Sequence, residues 1–252
     1  MSNILKNLKS DFIILAIDIT AASGSVCILK NFSLLAEITY LTEITHSKHL
    51  MNIIDSCLKL AMIDKFSDIS GIAVTTGPGS FTGLRICLST VKGLSYASKI
   101  PIVGIKSLKA LASGIYSLNF LICTMMIARK DEVYFAGYKY EDSILKCKIE
   151  QKAGSVESML QEVKEPSIFI GDGVAKYHKT ISSTLNELAN FTAGSFNIIR
   201  ASSVAKLSAE VFLKDGKQLP ANLKLEYIKT SDVKPDDVKI DVKVNDVKVN
   251  YI

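Results

Sequence analysis

Residues 71–98, GIAVTTGPGSFTGLRICLSTVKGLSYAS, carry the clearest hydrophobic pattern in the chain: an apolar run, a Gly-Pro-Gly turn, then a helical segment with almost no polar face. From Phe81 to Ser98 only Arg85 and Lys92 are charged. Leu84, Leu88, Val91 and Leu94 recur at helical spacing and predict a core row, while Ile86, Thr90, Gly93 and Ala97 form a second, finer-grained row. A surface helix has one apolar stripe. Two rows imply two neighbours: the domain's own sheet, and a second helix that the small residues let approach closely. Enclosure of the whole helix within its own domain is the alternative that the pattern leaves open.

Upstream, FIILAID (12–18), SVCILK (25–30) and LLAEITY (34–40) are short apolar or alternating runs parted by AASG and NFS, a predicted antiparallel three-stranded meander. A helix is predicted from 45 to 62, with Leu50, Ile54, Cys57, Leu58 and Ala61 on one side, His46, His49 and Ile53 on the other, and Thr45 or Ser47 as N-cap. Strand 71–76, helix 81–98, strand 102–105 and a helix from Ser107 complete a β-α-β-α order that favours parallel pairing. In the second half, FLICTMMIA, EVYFAGYKY (132–140) and ILKCKIE (144–150) read as strands and SVESMLQEV as a short helix. SIFIGDG (167–173) repeats the strand-then-glycine pattern, helices are predicted near 174–188 and 202–214, and LKLEYI (223–228) reads as a closing strand. The organisation expected is an N-terminal lobe at 1–110, a C-terminal lobe at 111–230 and a low-complexity tail at 231–252, where Asp-Val-Lys recurs and disorder is expected.

Length and a 48% hydrophobic content allow a substantial core, and no apolar run approaches the roughly 20 residues of a membrane span. The five cysteines form no C-x-x-C and lie in apolar contexts, which predicts small hydrophobes in a reducing cytoplasm. A net charge of +5 permits contact with nucleic acid without requiring it, because lysines and aromatics are not interleaved.

Candidate chemistry is sparse. Asp18 and Thr20, at the end of the first strand and before a short hairpin, have the layout of a phosphate-gripping turn, but Thr20-Ala21-Ala22-Ser23-Gly24 has only one, late glycine. Asp18 serves equally as a local cap. Gly77, Pro78, Gly79 and Ser80 read either as an anion nest or as a tight strand-to-helix turn with Ser80 or Thr82 as N-cap; the lysine of a P-loop is missing. Arg85 follows one turn later and is expected to tie the loop down. His46 and His49 sit three apart without a third ligand, and His178 is remote, so no metal site is predicted. No nucleophilic triad has a local signature.

Taken together, AIDITAASGSVCIL (16–29), HSKHL (46–50), AVTTGPGSFTGLRICLSTVKGL (73–94), PIVGIKSLKALA (101–112), ARKDEVYFAGY (128–138) and GDG (171–173) closely resemble the bacterial TsaB (YeaZ) family, with GPGSFTGLR the most specific stretch. The resemblance implies an α/β, two-lobed, duplicated fold of the actin/Hsp70/sugar-kinase-like (ASKHA) type. It further implies a catalytically inactive relative of TsaD, acting as the dimerising scaffold of a complex with TsaD and TsaE. That complex transfers a threonylcarbamoyl group from its adenylate to the adenosine just 3′ of the anticodon in tRNAs that read codons starting with A. The partners implied are a TsaD-like transferase, a TsaE-like ATPase, a second copy of this chain when alone, and tRNA indirectly. No cofactor belongs to this chain itself, with ATP and metal expected on the partner subunit.

On this resemblance the partner face comprises His46, His49, Ile53, Arg85, Ile86, Thr90, Gly93 and Ala97. The sequence departs from the family pattern at Ile127 and Asp131, where an acid and a glycine are usual, at Thr45, where an acid usually precedes the histidine, and at Tyr227-Ile228-Lys229 for Tyr-Leu-Arg. Two other readings stay open: an ATP-dependent phosphotransferase or metallopeptidase-like enzyme of the same superfamily, and a homodimeric interaction protein with no tRNA role.

Overall fold

Strands β1 (Ile13–Asp18), β2 (Ser23–Lys30) and β3 (Ser33–Leu41) form the antiparallel meander that the alternating runs predict. In the computed structural model, residues 12–41, 49–129 and 131–215 and the positions 225 and 228 are described. Helix α1 (Leu50–Leu60) leads to β4 (Gly71–Gly77), which pairs parallel with β1, and α2 (Phe81–Ser98) crosses over to β5 (Ile102–Lys106), parallel with β4. A crossover helix is what parallel pairing requires. The first sheet has the order β3-β2-β1-β4-β5.

After α3 (Ser107–Ala112) the same plan recurs. Strands β6 (Leu121–Ile127), β7 (Glu132–Glu141), β8 (Ile144–Ser155), β9 (Ser167–Ile170) and β10 (Ala189–Phe191) form a second sheet of order β10-β9-β6-β7-β8. Read from its other end, that order repeats the first sheet's. Helices α4 (Val156–Leu160) and α5 (Gly173–Leu185) belong to this repeat, and α6 (Ala201–Asp215) follows it. The result is the duplicated α/β architecture expected from the sequence.

Both faces of the first sheet are buried, which is why β1 reads as a continuous apolar run. Leu15, Ile17, Val26 and Ile28 face one layer with Leu50, Ile54 and Cys57 of α1 and Cys87 and Val91 of α2. Ile14, Ala16, Cys27 and Leu29 face the opposite layer, formed by Leu108 and Leu111 of α3 and Val204, Ala205 and Ala209 of α6. Ile122, Met126, Ala136 and Tyr138 of the second sheet close that layer from the far side. Helices α4 and α5 cover the second sheet's outer face through Val156, Met159, Val174 and Ile181.

Several expectations meet a different structure. Helix α1 begins at Leu50 with His49 at its N-cap position; Thr45 and Ser47 lie outside the described residues. The buried arc of α2 is Gly83, Leu84, Cys87, Val91 and Ser95, whereas Leu88 and Leu94 are half-buried. At 3.6 residues per turn the arc centres on Cys87 and Val91 and leaves the two leucines at its edges. Cysteines 27, 57, 87 and 123 are buried, as small hydrophobes should be, but Cys147 is exposed on the edge strand β8. The expected closing strand at 223–228 lies outside the described residues except for Leu225 and Ile228, which are in no strand, and the tail 231–252 lies outside them altogether.

Helix α6, which follows the second repeat in sequence, packs back on the first sheet and is latched there by polar groups. The Glu37 carboxylate on β3 accepts from Arg200 Nε at 2.9 Å and from the Ser202 amide at 2.8 Å, while Ser25 Oγ accepts from the Ala201 amide at 2.9 Å. The Glu37 side chain is only 4% exposed, so its charge is compensated by the guanidinium and by the first amides of the helix. Replacing Glu37 by Ala removes a capping carboxylate and strands two N–H groups. We expect a loss of about 2 kcal/mol in urea unfolding, with Glu37→Gln recovering part of it.

Candidate functional site

The turn after β1 is the place where a member of this fold class would grip a phosphate, and here it is tied and covered. Thr20 Oγ1 and Thr75 Oγ1 both donate to Asp18 Oδ1, at 2.7 and 2.6 Å, joining the ends of β1 and β4. Asp18 is completely buried and its Oδ2 has no partner among the described residues. Burial raises its carboxyl to about 6, against the smaller opposing effect of the two hydroxyls. The loop after β4 then folds onto this turn: the Ser80 amide donates to the Thr20 carbonyl at 2.7 Å. A Cβ on Gly79 would lie 2.7 Å from the Thr20 Cβ, and one on Gly83 would strike the Ile19 carbonyl, so both positions demand glycine. Gly77, with φ of 115°, supplies the left-handed bend that starts the loop. Ser80 caps α2, its Oγ accepting from the Gly83 amide at 3.3 Å.

On β2, the ring of Tyr40 fills the space over Gly24. A free glycine-rich turn aims its amides at phosphate oxygens. This one has Cβ atoms from Thr20 to Ser23, a ring over its only glycine and a loop seated on its carbonyl, and it does not fit a nucleotide phosphate. Among the described residues, no three His, Cys, Asp or Glu side chains are grouped as metal ligands.

The opposite situation holds on the outer side of α2. Among the described residues no neighbouring atom lies within 4 Å of where a Gly93 Cβ would be, and Gly93 and Ala97 are exposed. Ile86 and Thr90 flank them, half-buried. The Arg85 guanidinium stacks 3.9 Å above the ring of Phe81, one turn before it on the same helix, so it braces the helix start rather than the loop. On α1, His49 is exposed and Ile53 half-buried, whereas His46 lies outside the described residues. Other exposed apolar side chains on the two helices are Leu60 on α1, on the same flank as His49 and Ile53, Met51 on its opposite flank, and Phe81 and Tyr96 on α2, the last 67% exposed. A run of small, exposed positions between large apolar ones on a helix is a seat for another helix.

The second repeat has a counterpart of the covered turn. Asp172, in the glycine pair after β9, accepts from the Ile127 amide at the end of β6 at 2.8 Å, and burial raises its carboxyl above the ordinary range. His178 stacks on Phe191 with centroids 4.0 Å apart. Sequence reasoning missed Tyr40, Thr75, Glu37 and Arg200. The tie from Thr75 to Asp18 had one sequence signal, a carboxylate at the end of one apolar strand and a hydroxyl near the end of the next predicted parallel one.

Fold and face together define a two-lobed α/β protein of duplicated plan whose turn after β1 is closed and whose helix α2 has an exposed outer side. Comparison with known proteins agrees. The family model described as TsaD, tRNA N6-adenosine threonylcarbamoyltransferase, matches residues 37–233. The tRNA threonylcarbamoyladenosine biosynthesis protein TsaB of Bacillus subtilis is 30% identical over 201 residues, 78% of this chain and 87% of that one. The Escherichia coli TsaB is 29% identical over 132 residues, 52% of this chain and 56% of its own. The structure of YeaZ from Pseudomonas aeruginosa superposes with a TM-score of 0.73 at 22% identity, covering 86% of this chain and all of that one. The chain belongs to the TsaB (YeaZ) family.

The buried carboxyl makes a pH-dependent prediction. Its folded pKa of about 6 lies above the ordinary carboxyl value of 3.8, so the cost of ionising Asp18 is absent below pH 3.8, develops up to about pH 6 and is complete above it. That cost is roughly 3 kcal/mol at neutral pH. Asp18→Asn keeps an oxygen for both threonine hydroxyls and cannot ionise. Urea midpoints of the two proteins should therefore diverge in favour of Asn as pH rises from about 4 to about 7, and parallel curves would refute the assignment.

Proposed function

We propose that this chain is the non-catalytic scaffold subunit of a tRNA threonylcarbamoyl transferase complex in the bacterial cytoplasm. On this reading it binds and activates a TsaD-like subunit through the faces of α1 and α2. The observation that carries the proposal is Gly93, exposed in the middle of an 18-residue helix, where an added Cβ would meet nothing within 4 Å among the described residues. A mid-helix glycine costs about 1 kcal/mol relative to alanine. Its own fold gives no return for that cost, whereas a partner helix lying on the groove does. The TsaB names of the relatives support the tRNA role, and the match to the TsaD family supports descent from a common transferase-like ancestor.

The chemistry then belongs to the partner. We assign nucleotide and metal to the TsaD-like subunit because Asp18 Oδ1 already accepts from Thr20 and Thr75 and the Ser80 loop is seated on the same turn. A TsaE-like ATPase completes the assembly, tRNA is met through the complex, and the same face pairs two copies when the transferase is absent.

Two measurements test this reading. Gly93→Leu should leave the thermal midpoint of the isolated chain unchanged or slightly raised, since the side chain enters open space. It should also abolish co-purification with the TsaD-like subunit and threonylcarbamoyl transfer in a reconstituted system, by overpacking the contact. Wild-type affinity in that variant would remove the proposal's footing. Calorimetric titration of the isolated chain with Mg-ATP should show no saturable heat, and tight binding would restore the phosphotransferase alternative.

A further inference from the structure

The charges around the open face are of one sign. Along α2 the only ionisable side chains with a formal charge are Arg85 and Lys92, and Lys99 follows at its C-cap in the left-handed conformation. None of the three reaches a carboxylate among the described residues. Arg85 lies against the Phe81 ring, and the Lys99 Nζ lies 4.5 Å from the centroid of the Tyr96 ring. Cation–π contacts hold the two cations at opposite ends of the helix without neutralising them. Lysines elsewhere are treated differently: on the second sheet Lys139 pairs with Glu165, Lys146 and Lys148 with Glu141, and Lys152 with Glu162. On α1 the exposed Asp55 is already matched by Lys59 at 2.6 Å, so that helix offers no spare carboxylate.

In projection, Arg85, Lys92, Tyr96 and Lys99 fall along one flank of the exposed strip, and Ile86, Thr90 and Ala97 along the other, with Gly93 between them. An isologous dimer through this face brings the same patch against itself. Where the two helices run antiparallel about a two-fold axis normal to their common plane, Arg85, Lys92 and Lys99 of one copy, which reach no carboxylate among the described residues, then face the same three of the other. Like-charge juxtaposition of this kind selects against a partner, while a complementary rim accelerates and orients docking.

We infer that the Phe81–Ser98 face is built for a partner that brings carboxylates to its rim, in preference to a second copy of this chain. The inference rests on the interface reading above and adds the chemistry of the partner: a helical surface with an apolar ridge for the Gly93 groove, bordered by Asp or Glu side chains opposite Arg85, Lys92 and Lys99. Self-association through the same groove is the weaker, like-charged alternative that the acidic partner displaces.

Salt separates the two kinds of contact. Binding of the full chain to the TsaD-like subunit of the same organism is measured by calorimetry, and self-association by sedimentation equilibrium, as NaCl rises from about 50 to about 500 mM. The hetero-complex should weaken at least roughly tenfold, while self-association stays constant or tightens as repulsion is screened. The triple substitution Arg85→Glu, Lys92→Glu and Lys99→Glu should weaken the hetero-complex by at least about tenfold. It should also associate with the wild-type chain more tightly than either associates with itself. A hetero-complex indifferent to salt, or self-association that falls with salt as steeply as the hetero-complex, overturns the inference. The wild-type salt series decides it even if the triple variant folds poorly. If Gly93→Leu abolishes hetero-binding and the charge reversal does not, only the rim assignment fails. If neither substitution has an effect, the interface reading itself fails.

Discussion

The hydrogen bond from the Ser80 amide to the Thr20 carbonyl is the contact on which the architecture of this protein turns. It seats the loop between β4 and α2 on the turn after β1, and two glycines exist to let the backbones approach that closely. The same seating does two things at once. It closes the turn at which related folds hold a phosphate, and it fixes the origin of α2, whose Ser80 cap and Gly83 lie inside the contact. A chain that covers the turn after its first strand in this way gains a rigidly aimed helix.

That helix divides its surface between two tasks by side-chain size. Its inner arc of Leu84, Cys87 and Val91 is packed to exclusion of water against the first sheet. The outer arc keeps residues too small to cover themselves, with cations and exposed rings at its border. The two glycines of α2 illustrate the division. Gly83 is required because a backbone carbonyl occupies the space of its Cβ, whereas a Cβ on Gly93 would meet no atom within 4 Å among the described residues. One glycine answers to the fold, and the other answers to what the fold presents.

Duplication explains why so little chemistry is found in so large a core. Both repeats bind the loop after their fourth strand back to the end of their first, through Ser80 and Thr20 in one and Asp172 and Ile127 in the other. The layer between the sheets is filled by α3 and α6, and the Glu37, Arg200 and Ser202 latch anchors the last helix on the first sheet. Polar groups at the ends of the strands are here turned inward on one another. Asp18, spent on two threonines and raised by burial, is the clearest example.

Local periodicity determined much of this protein from its sequence: the meander from alternating runs, the β-α-β crossover from an apolar run followed by Gly-Pro-Gly, and the two-sided character of residues 81–98 from the spacing of small and large side chains. These are effects within a turn or a strand, where the order of residues dictates which face each occupies. Tertiary structure alone decided the rest. Glu37 and Arg200 are 163 residues apart, Thr75 is 57 from Asp18, and neither pairing leaves a periodic trace. The return of α6 to the first sheet, the ring of Tyr40 over Gly24 and the exposure of Cys147 likewise depend on which surfaces meet. A buried polar partner is chosen by proximity in the folded chain, and proximity between distant segments is written in no short stretch of residues.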